Sequence, residues 1–238
     1  MENLGEKQFL YPTEKTKTGY VQYVQHVGSD LMVVNAARAS FDVTKTELDE
    51  RDLKLIDYLG KHNHTGPFEH CFITFLCNVP LFVARQHMRH RTWSYNEVSR
   101  RYTSVNMEFY SPELFREQHQ SNRQASTDTL FNPVVDKIHG TQQTYAHTAA
   151  EELEKLNQSS LKLYNRMIYA GVCREQARLV LPQNMYCKYY ASANLLNCIK
   201  FINLRNKPEA QQEMQVFAKA IQDVVTHLFP NSTKALLK

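Results

Sequence analysis

From Phe72 to Val79 the chain alternates without a break. Ile73, Phe75, Cys77 and Val79 fall on one side, and Phe72, Thr74, Leu76 and Asn78 on the other. This is the period-two pattern of a strand with one face in a core. Pro80 follows at once, and its fixed φ and missing N–H suit a helix start better than more sheet. On the helix that begins there, Leu81, Ala84 and Met88 form an apolar stripe, while Gln86, Arg89 and His90 are related by three and four residues and share another face. A chain built this way carries a half-buried sheet and delivers a set of polar side chains together from the end of one of its strands.

Those side chains hold the unbalanced charge. Between Arg85 and Tyr102 five arginines (Arg85, Arg89, Arg91, Arg100, Arg101) stand against one acid, Glu97, a local +4 that equals the net charge of the whole 238-residue chain. The remainder is neutral, so the composition does not describe a nucleic-acid coat or a membrane-surface protein. Arginines spaced along a helix are commonly a solvated face. Here they alternate with His87, His90, Trp93, Ser94, Tyr95, Asn96, Ser99 and Tyr102, planar and hydroxyl-bearing groups suited to a phosphate and a flat heterocycle.

The surrounding pattern is that of mixed α and β structure. Tyr20–Val27 alternates as a strand, Asp30–Arg38 reads as a short helix, and Thr44 with Glu47 reads as a capping box opening a helix over 44–60 that Gly60 ends. The polar stretch 116–144 shows weak periodicity and reads as a loop or insertion. Ala146, Ala149, Leu153, Leu156, Leu163, Tyr164 and Met167 support a long helix closed by Gly171, and 172–181 a shorter one stopped by Pro182. Met185, Cys187, Tyr189 and Ala191 alternate as a second core strand. Leu195, Ile199 and Ile202, then Met214, Phe217, Ile221 and Val225, mark two amphipathic helices. With 42% hydrophobic residues and no domain-separating linker, the expectation is a single α/β (α+β) domain over 1–238, with a mixed or antiparallel central sheet flanked by about six helices.

Several chemistries lack their residues. The seven glycines are too scattered for a dinucleotide or Walker loop, so any nucleotide must be held by side chains and helix ends. His62, His64, His70, His87 and His90 lack the spacing of a zinc site, and no metal is expected. Five cysteines without a C-x-x-C pair and an N-terminus without a basic-then-apolar leader favour the cytoplasm, or host cytoplasm for a viral protein. The longest apolar stretch, Cys71–Ala84, is too short to span a bilayer.

Arg89-His90-Arg91 followed by seven residues and Ser99 reproduces the RHR-x7-S signature, with the continuation Asn96-Glu97-x-Ser99-x-Arg101-Tyr102. Asn35-Ala36-Ala37-Arg38, Pro67-Phe68-Glu69-His70, Val83-Ala84-Arg85-Gln86, Ala177-Arg178-x-Val180-Leu181-Pro182 and Asn203-Leu204-Arg205 extend the match from about residue 20 to about residue 225. In these segments the chain resembles the flavin-dependent thymidylate synthases. The resemblance implies the thymidylate synthase-complementing protein fold and reductive methylation of dUMP to dTMP. The implied carbon donor is 5,10-methylenetetrahydrofolate, and the hydride donor is a reduced FAD regenerated by NADPH. A homotetramer with sites at subunit interfaces is also implied, and neither a nucleic-acid nor a membrane partner.

Carried over residue by residue, the resemblance places Gln86, Arg89, Glu97, Ser99, Arg100, Arg101, Arg178 and Arg205 at the nucleotide. It assigns Arg205 the catalytic role of favouring ionised N3 of the uracil. It places His64, Gly66, Arg89, His90, Arg91, Glu97, Asn194 and Lys200 at the flavin. The chain departs from the pattern where Gly66 replaces a frequent Thr, Leu196 an occasional Arg, Lys200 an Asn or His, and Glu209 a His. Two other readings compete. A nucleic-acid-binding module would need a broad basic surface, and a flavin reductase without methyl transfer would not need Arg101, Arg178 and Arg205.

Overall fold

A computed structural model describes residues 4–12, 18–139 and 144–238. Its centre is a five-stranded antiparallel sheet in the order β1 (Lys7–Phe9), β2 (Tyr20–Val27), β3 (Phe72–Pro80), β9 (Tyr186–Asn194), β4 (Ser94–Glu97). β3 and β9 pair along their whole lengths, from Phe72 opposite Asn194 to Pro80 opposite Tyr186. Ile73, Phe75, Cys77 and Val79 are buried with Cys187, Tyr189, Ala191 and Ala193 on the same face, as the alternation requires. The opposite face leaves Phe72 and Tyr190 about half exposed.

Helices cover the buried face. α6 (Leu195–Arg205) packs on β9 and on α7 (Gln212–Leu228), and α7 also meets β2 and α3 (Leu81–His87). Leu195, Ile199, Ile202, Met214, Phe217, Ile221 and Val225 are all buried, so both late amphipathic stripes face the core as expected. α1 (Asp30–Arg38) and α2 (Glu50–Lys61) close one side with α8 (Pro230–Leu236). The buried Asp30 carboxylate holds α8 by accepting from the backbone N–H groups of Asn231 (2.9 Å) and Ser232 (3.0 Å) and from both their side chains, which satisfies the orphan donors of that helix start. Among the described residues no helix is long and apolar enough to cross a membrane.

Several boundaries differ from the sequence reading. α2 starts at Glu50, with a capping box of Asp49 and Asp52 in place of Thr44 and Glu47. Tertiary contacts decide this: Asn35 on α1 clamps the Lys45 backbone through two hydrogen bonds (2.8 and 3.0 Å), while the Lys45 ammonium reaches Asp49 and Asp52. Gly60 lies inside α2 instead of ending it, and its lack of a side chain serves packing: a Cβ there would stand 2.6 Å from the Ala235 carbonyl oxygen of α8. On α3 the buried face is Val83, Ala84 and His87, with Leu81 and Met88 at its margins.

The polar 116–144 stretch forms strands in place of the expected loop or insertion. β5 (Phe115–Gln118) pairs with β6 (Ser126–Phe131), and β7 (Val134–His139) with β8 (Thr144–Thr148); residues 140–143 lie outside the described residues. β6 is exposed almost throughout, so neither face demanded an apolar period and only Thr127, Thr129 and Phe131 carried a β signal. Ala146 belongs to β8, and α4 (Ala149–Tyr169) begins at a Thr148–Glu151 capping box with Leu156 and Leu163 exposed. Gly171 stops it with φ +88°. Residues 172–181 form α5 (Arg174–Ala177) and one 3-10 turn in place of a continuous α-helix; Pro182 ends the run as expected by driving Leu181 to extended backbone.

Gly60→Ala tests the α2–α8 contact. Helix propensity alone gives alanine about 1 kcal/mol over glycine, yet overpacking against a backbone carbonyl costs about 1–3 kcal/mol. The expected outcome of urea unfolding is a net loss of stability; a gain would show that α8 yields.

Candidate functional site

α3 is seven residues long, and the chain tightens after it rather than stopping. Arg89 N–H bonds the Gln86 carbonyl (3.4 Å), His90 N–H that of His87 (2.9 Å), and Trp93 N–H that of His90 (3.2 Å). The Tyr95 hydroxyl donates to the His87 carbonyl (2.7 Å), with the His90 carbonyl 3.1 Å away, and so ties β4 back to the turn. Beneath it the fully buried His87 ring bonds the Tyr189 hydroxyl (3.0 Å) and packs against Trp93, Tyr95, Phe201 and Phe217 at centroid distances of 4.6–5.1 Å. Burial lowers the His87 pKa well below its usual value, with His90 and Arg205 adding to the shift. A neutral aromatic plug therefore supports the turn that presents Arg89, His90 and Arg91.

Above the plug is an open cleft of about 730 Å³ lined by Arg85, Gln86, Arg89, Arg91 and Arg205. Arg205 comes from the last residue of α6, and its Nε–H donates to His90 Nε2 (3.2 Å). That bond requires an unprotonated Nε2. Burial and the neighbouring Arg205 push the His90 pKa down to about 4. Partial burial and Arg89 lower the Arg205 guanidinium in turn. Among the described residues no carboxylate forms an ion pair with any of these four arginines. The lining offers guanidinium forks and one amide, a donor set that fits a phosphate or diphosphate.

The remaining sequence candidates lie elsewhere on the chain. Arg100 lines a second cleft of about 640 Å³ with Lys7, Tyr20, Asn78, Glu108 and Lys188, its guanidinium held by the Val105 and Asn106 carbonyls. Ser99 Oγ accepts from the Arg101 backbone N–H (3.2 Å). Arg101 approaches Glu175 (3.8 Å), whose carbonyl accepts from Arg178 Nε (3.3 Å). Loss of water around Glu97 raises its carboxyl against the pull of Arg100 and Arg178.

A third group sits where α6 meets the 3-10 turn Gly66–His70, which follows α2 in the chain. Asn194 caps α6, accepting from Asn197 N–H (2.9 Å) and donating to Glu69 (3.4 Å). His64 closes the end of α2 through its N–H to the Leu59 carbonyl (2.9 Å). Gly66 has open space where a Cβ would be, and Lys200 is exposed on α6. Leu196, by contrast, is core. The structure thus gathers Gln86, Arg89, Arg91 and Arg205 with His90, and does not join Glu97, Ser99, Arg100, Arg101 and Arg178, or His64, Gly66, Asn194 and Lys200, to them within one chain. Arg85 was missing from the candidate set, although it stands four residues before Arg89.

The chain matches the family described as thymidylate synthase complementing protein over residues 22–231. It is 41% identical over 213 residues to the flavin-dependent thymidylate synthase of Thermus thermophilus, covering 89% of this chain and 73% of that one. It is 38% identical over 220 residues to that of Thermotoga neapolitana, covering 92% and 91%. Among solved structures it resembles a UMP/dUMP methylase from Streptomyces cacaoi bound with 5-Br UMP. The TM-score is 0.73 at 32% identity, over 90% of this chain and 92% of that one.

His90 is expected to titrate near pH 4 in imidazole NMR spectra and to stay neutral from pH 5 to 8. Arg205→Ala removes the adjacent positive charge, so the His90 pKa should rise while burial keeps it below the usual value of about 6.5. An unchanged midpoint would mean that the two groups do not couple.

Proposed function

Because the chain belongs to the thymidylate synthase complementing protein family, we propose that it methylates dUMP to dTMP as a flavin-dependent thymidylate synthase. In this reading 5,10-methylenetetrahydrofolate is the carbon donor and NADPH the source of reducing equivalents. The observation that carries the proposal is the cleft in which Arg85, Arg89, Arg91 and Arg205 converge beside Gln86. Like-charged guanidinium groups so arranged are relieved by an anionic ligand.

Gln86, Arg89, Glu97, Ser99, Arg100, Arg101 and Arg178 are assigned to the nucleotide. His64, Gly66, Arg89, His90, Arg91, Glu97, Asn194 and Lys200 are assigned to FAD. The arginine forks and the α6 cap fit the phosphates and polar edges of such a cofactor. When bound and reduced, the flavin supplies the hydride. Arg205, held by the neutral His90, is assigned to the uracil edge, where a fixed positive charge favours the ionised imide and raises electron density on the ring. No side-chain nucleophile is needed, and Ser99 is given a binding role.

These residues occupy three separate places on one chain, so a complete site requires more than one copy. A homotetramer is proposed, with each site closed by neighbouring subunits. Its sedimentation should give about four times the 27.8 kDa chain mass. The five cysteines are all unpaired, which fits a reducing cytoplasm.

The test is the visible spectrum of the protein after addition of FAD and removal of excess, followed by dUMP. A retained flavin band that dUMP perturbs is expected; a retained band indifferent to dUMP would overturn the assignment of the cleft. Arg205→Ala should keep the flavin and lose about 10²–10³-fold in turnover. Full activity in that variant would remove Arg205 from catalysis.

A further inference from the structure

Behind the cleft, Gln86 is the last member of a partly buried polar chain that starts at the buried Glu213. Glu213, in the first turn of α7, has a side chain 8% exposed and accepts from Arg116 Nη2 (2.7 Å), Tyr110 Oη (3.2 Å) and Gln211 Nε2 (2.8 Å). Gln211 Oε1 in turn accepts from Gln86 Nε2. Arg116 comes from the β5–β6 hairpin. The hydrogen bonds from Arg116 and Gln211 hold the Glu213 carboxyl below its usual range despite burial, so it is ionised at neutral pH.

An ionised carboxylate can only accept hydrogen bonds. Gln211 must therefore turn its NH2 toward Glu213 and its oxygen toward Gln86. Gln86 must then give its own NH2 to Gln211, which leaves its carbonyl oxygen for the cleft. Amide oxygen and nitrogen are nearly isosteric, and a hydrogen-bond network is what fixes their orientation; here the acceptor-only end fixes two amides in series. Every other side chain lining the cleft is an arginine, a donor with no acceptor. Among the described residues, Gln86 Oε1 is the one side-chain acceptor in that lining.

We propose that Glu213, acting through Gln211, is a positioning residue that holds Gln86 as the hydrogen-bond acceptor of the cleft, where it reads a donor group on the nucleotide. This rests on the assignment of the cleft to dUMP. A pyrimidine deoxynucleotide of this kind has two neutral donors to offer, the sugar 3′-hydroxyl and, in the resting nucleotide before Arg205 favours its ionisation, the imide N3–H. An amide without this polarity could flip and present NH2, and discrimination for the donor would be lost.

The experiment is calorimetric titration of the FAD-loaded protein with dUMP, its 3′-deoxy analogue and its N3-methyl analogue. The wild type should bind dUMP and lose about tenfold or more in affinity for one analogue; which one identifies the donor. Gln211→Met breaks the chain while leaving the Arg116–Glu213 ion pair, and should bring that ratio toward one. Glu213→Gln should do the same by admitting either polarity. If Glu213→Gln fails to fold, as loss of a buried ion-pair partner can cause, Gln211→Met carries the test. A folded variant, checked by thermal melt, that binds dUMP with the wild-type ratio would overturn the relay. A wild type that binds dUMP without discriminating against either analogue would overturn the donor-reading role. A wild type that retains FAD but binds no dUMP would instead overturn the cleft assignment.

Discussion

The pairing of β3 with β9 is the constraint from which the rest follows. Nine consecutive residue pairs fix the register, and a slip of one residue would turn Ile73, Phe75, Cys77 and Val79 to the outer face. The same pairing fixes where the chain leaves the sheet. β3 ends at Pro80 and releases α3 at one end, while β9 ends at Asn194 and releases α6 at the other. An eleven-residue helix spans about 16 Å, and α6 packs back on β9 and α7, so that its last residue, Arg205, reaches His90 beyond α3. Two segments more than a hundred residues apart thus supply one cleft.

The energetics of that cleft run against the isolated chain. Crowded guanidinium groups repel, and their neighbour His90 is kept neutral by burial and by Arg205. What holds them is the apolar and aromatic support below: His87 among Trp93, Tyr95, Phe201 and Phe217, with the Tyr95 hydroxyl gripping the turn. The polar chain Arg116–Glu213–Gln211–Gln86 adds a second support from the hairpin side. Core packing thus holds charges in positions that their mutual interactions disfavour, a common arrangement at binding sites.

The periodic elements were legible in the sequence because burial on one face writes itself as a period of 2 or 3.6. The core strands 72–80 and 186–194 and the helices ending in Arg205 and Leu228 are such cases. The strand pairs β5–β6 and β7–β8 were not legible; in β6 almost no side chain is covered, so nothing there required an apolar alternation. The start of α2 was misread because Thr44 and Glu47 satisfy a local rule that the Asn35 clamp on Lys45 overrides. Gly60 was misread for a similar reason: its meaning lies in Ala235, 175 positions away.

For the site, the sequence by itself determined which chemistry the chain carries: a local run of arginines interleaved with planar groups, whose residue types suit a phosphate and a flat heterocycle. Linear order is enough for that, because charge and hydrogen-bonding capacity belong to the residues. Which of them work together was decided only by the tertiary structure. It joined Arg205 to His90, set Arg85 in the cleft, placed Leu196 in the core, grouped Arg101 and Arg178 around Glu175, and tied Gln86 to Glu213 through Gln211. The physical reason is that hydrogen bonds and Coulomb forces act over a few ångströms, and only the folded sheet and its helices bring distant positions within that range.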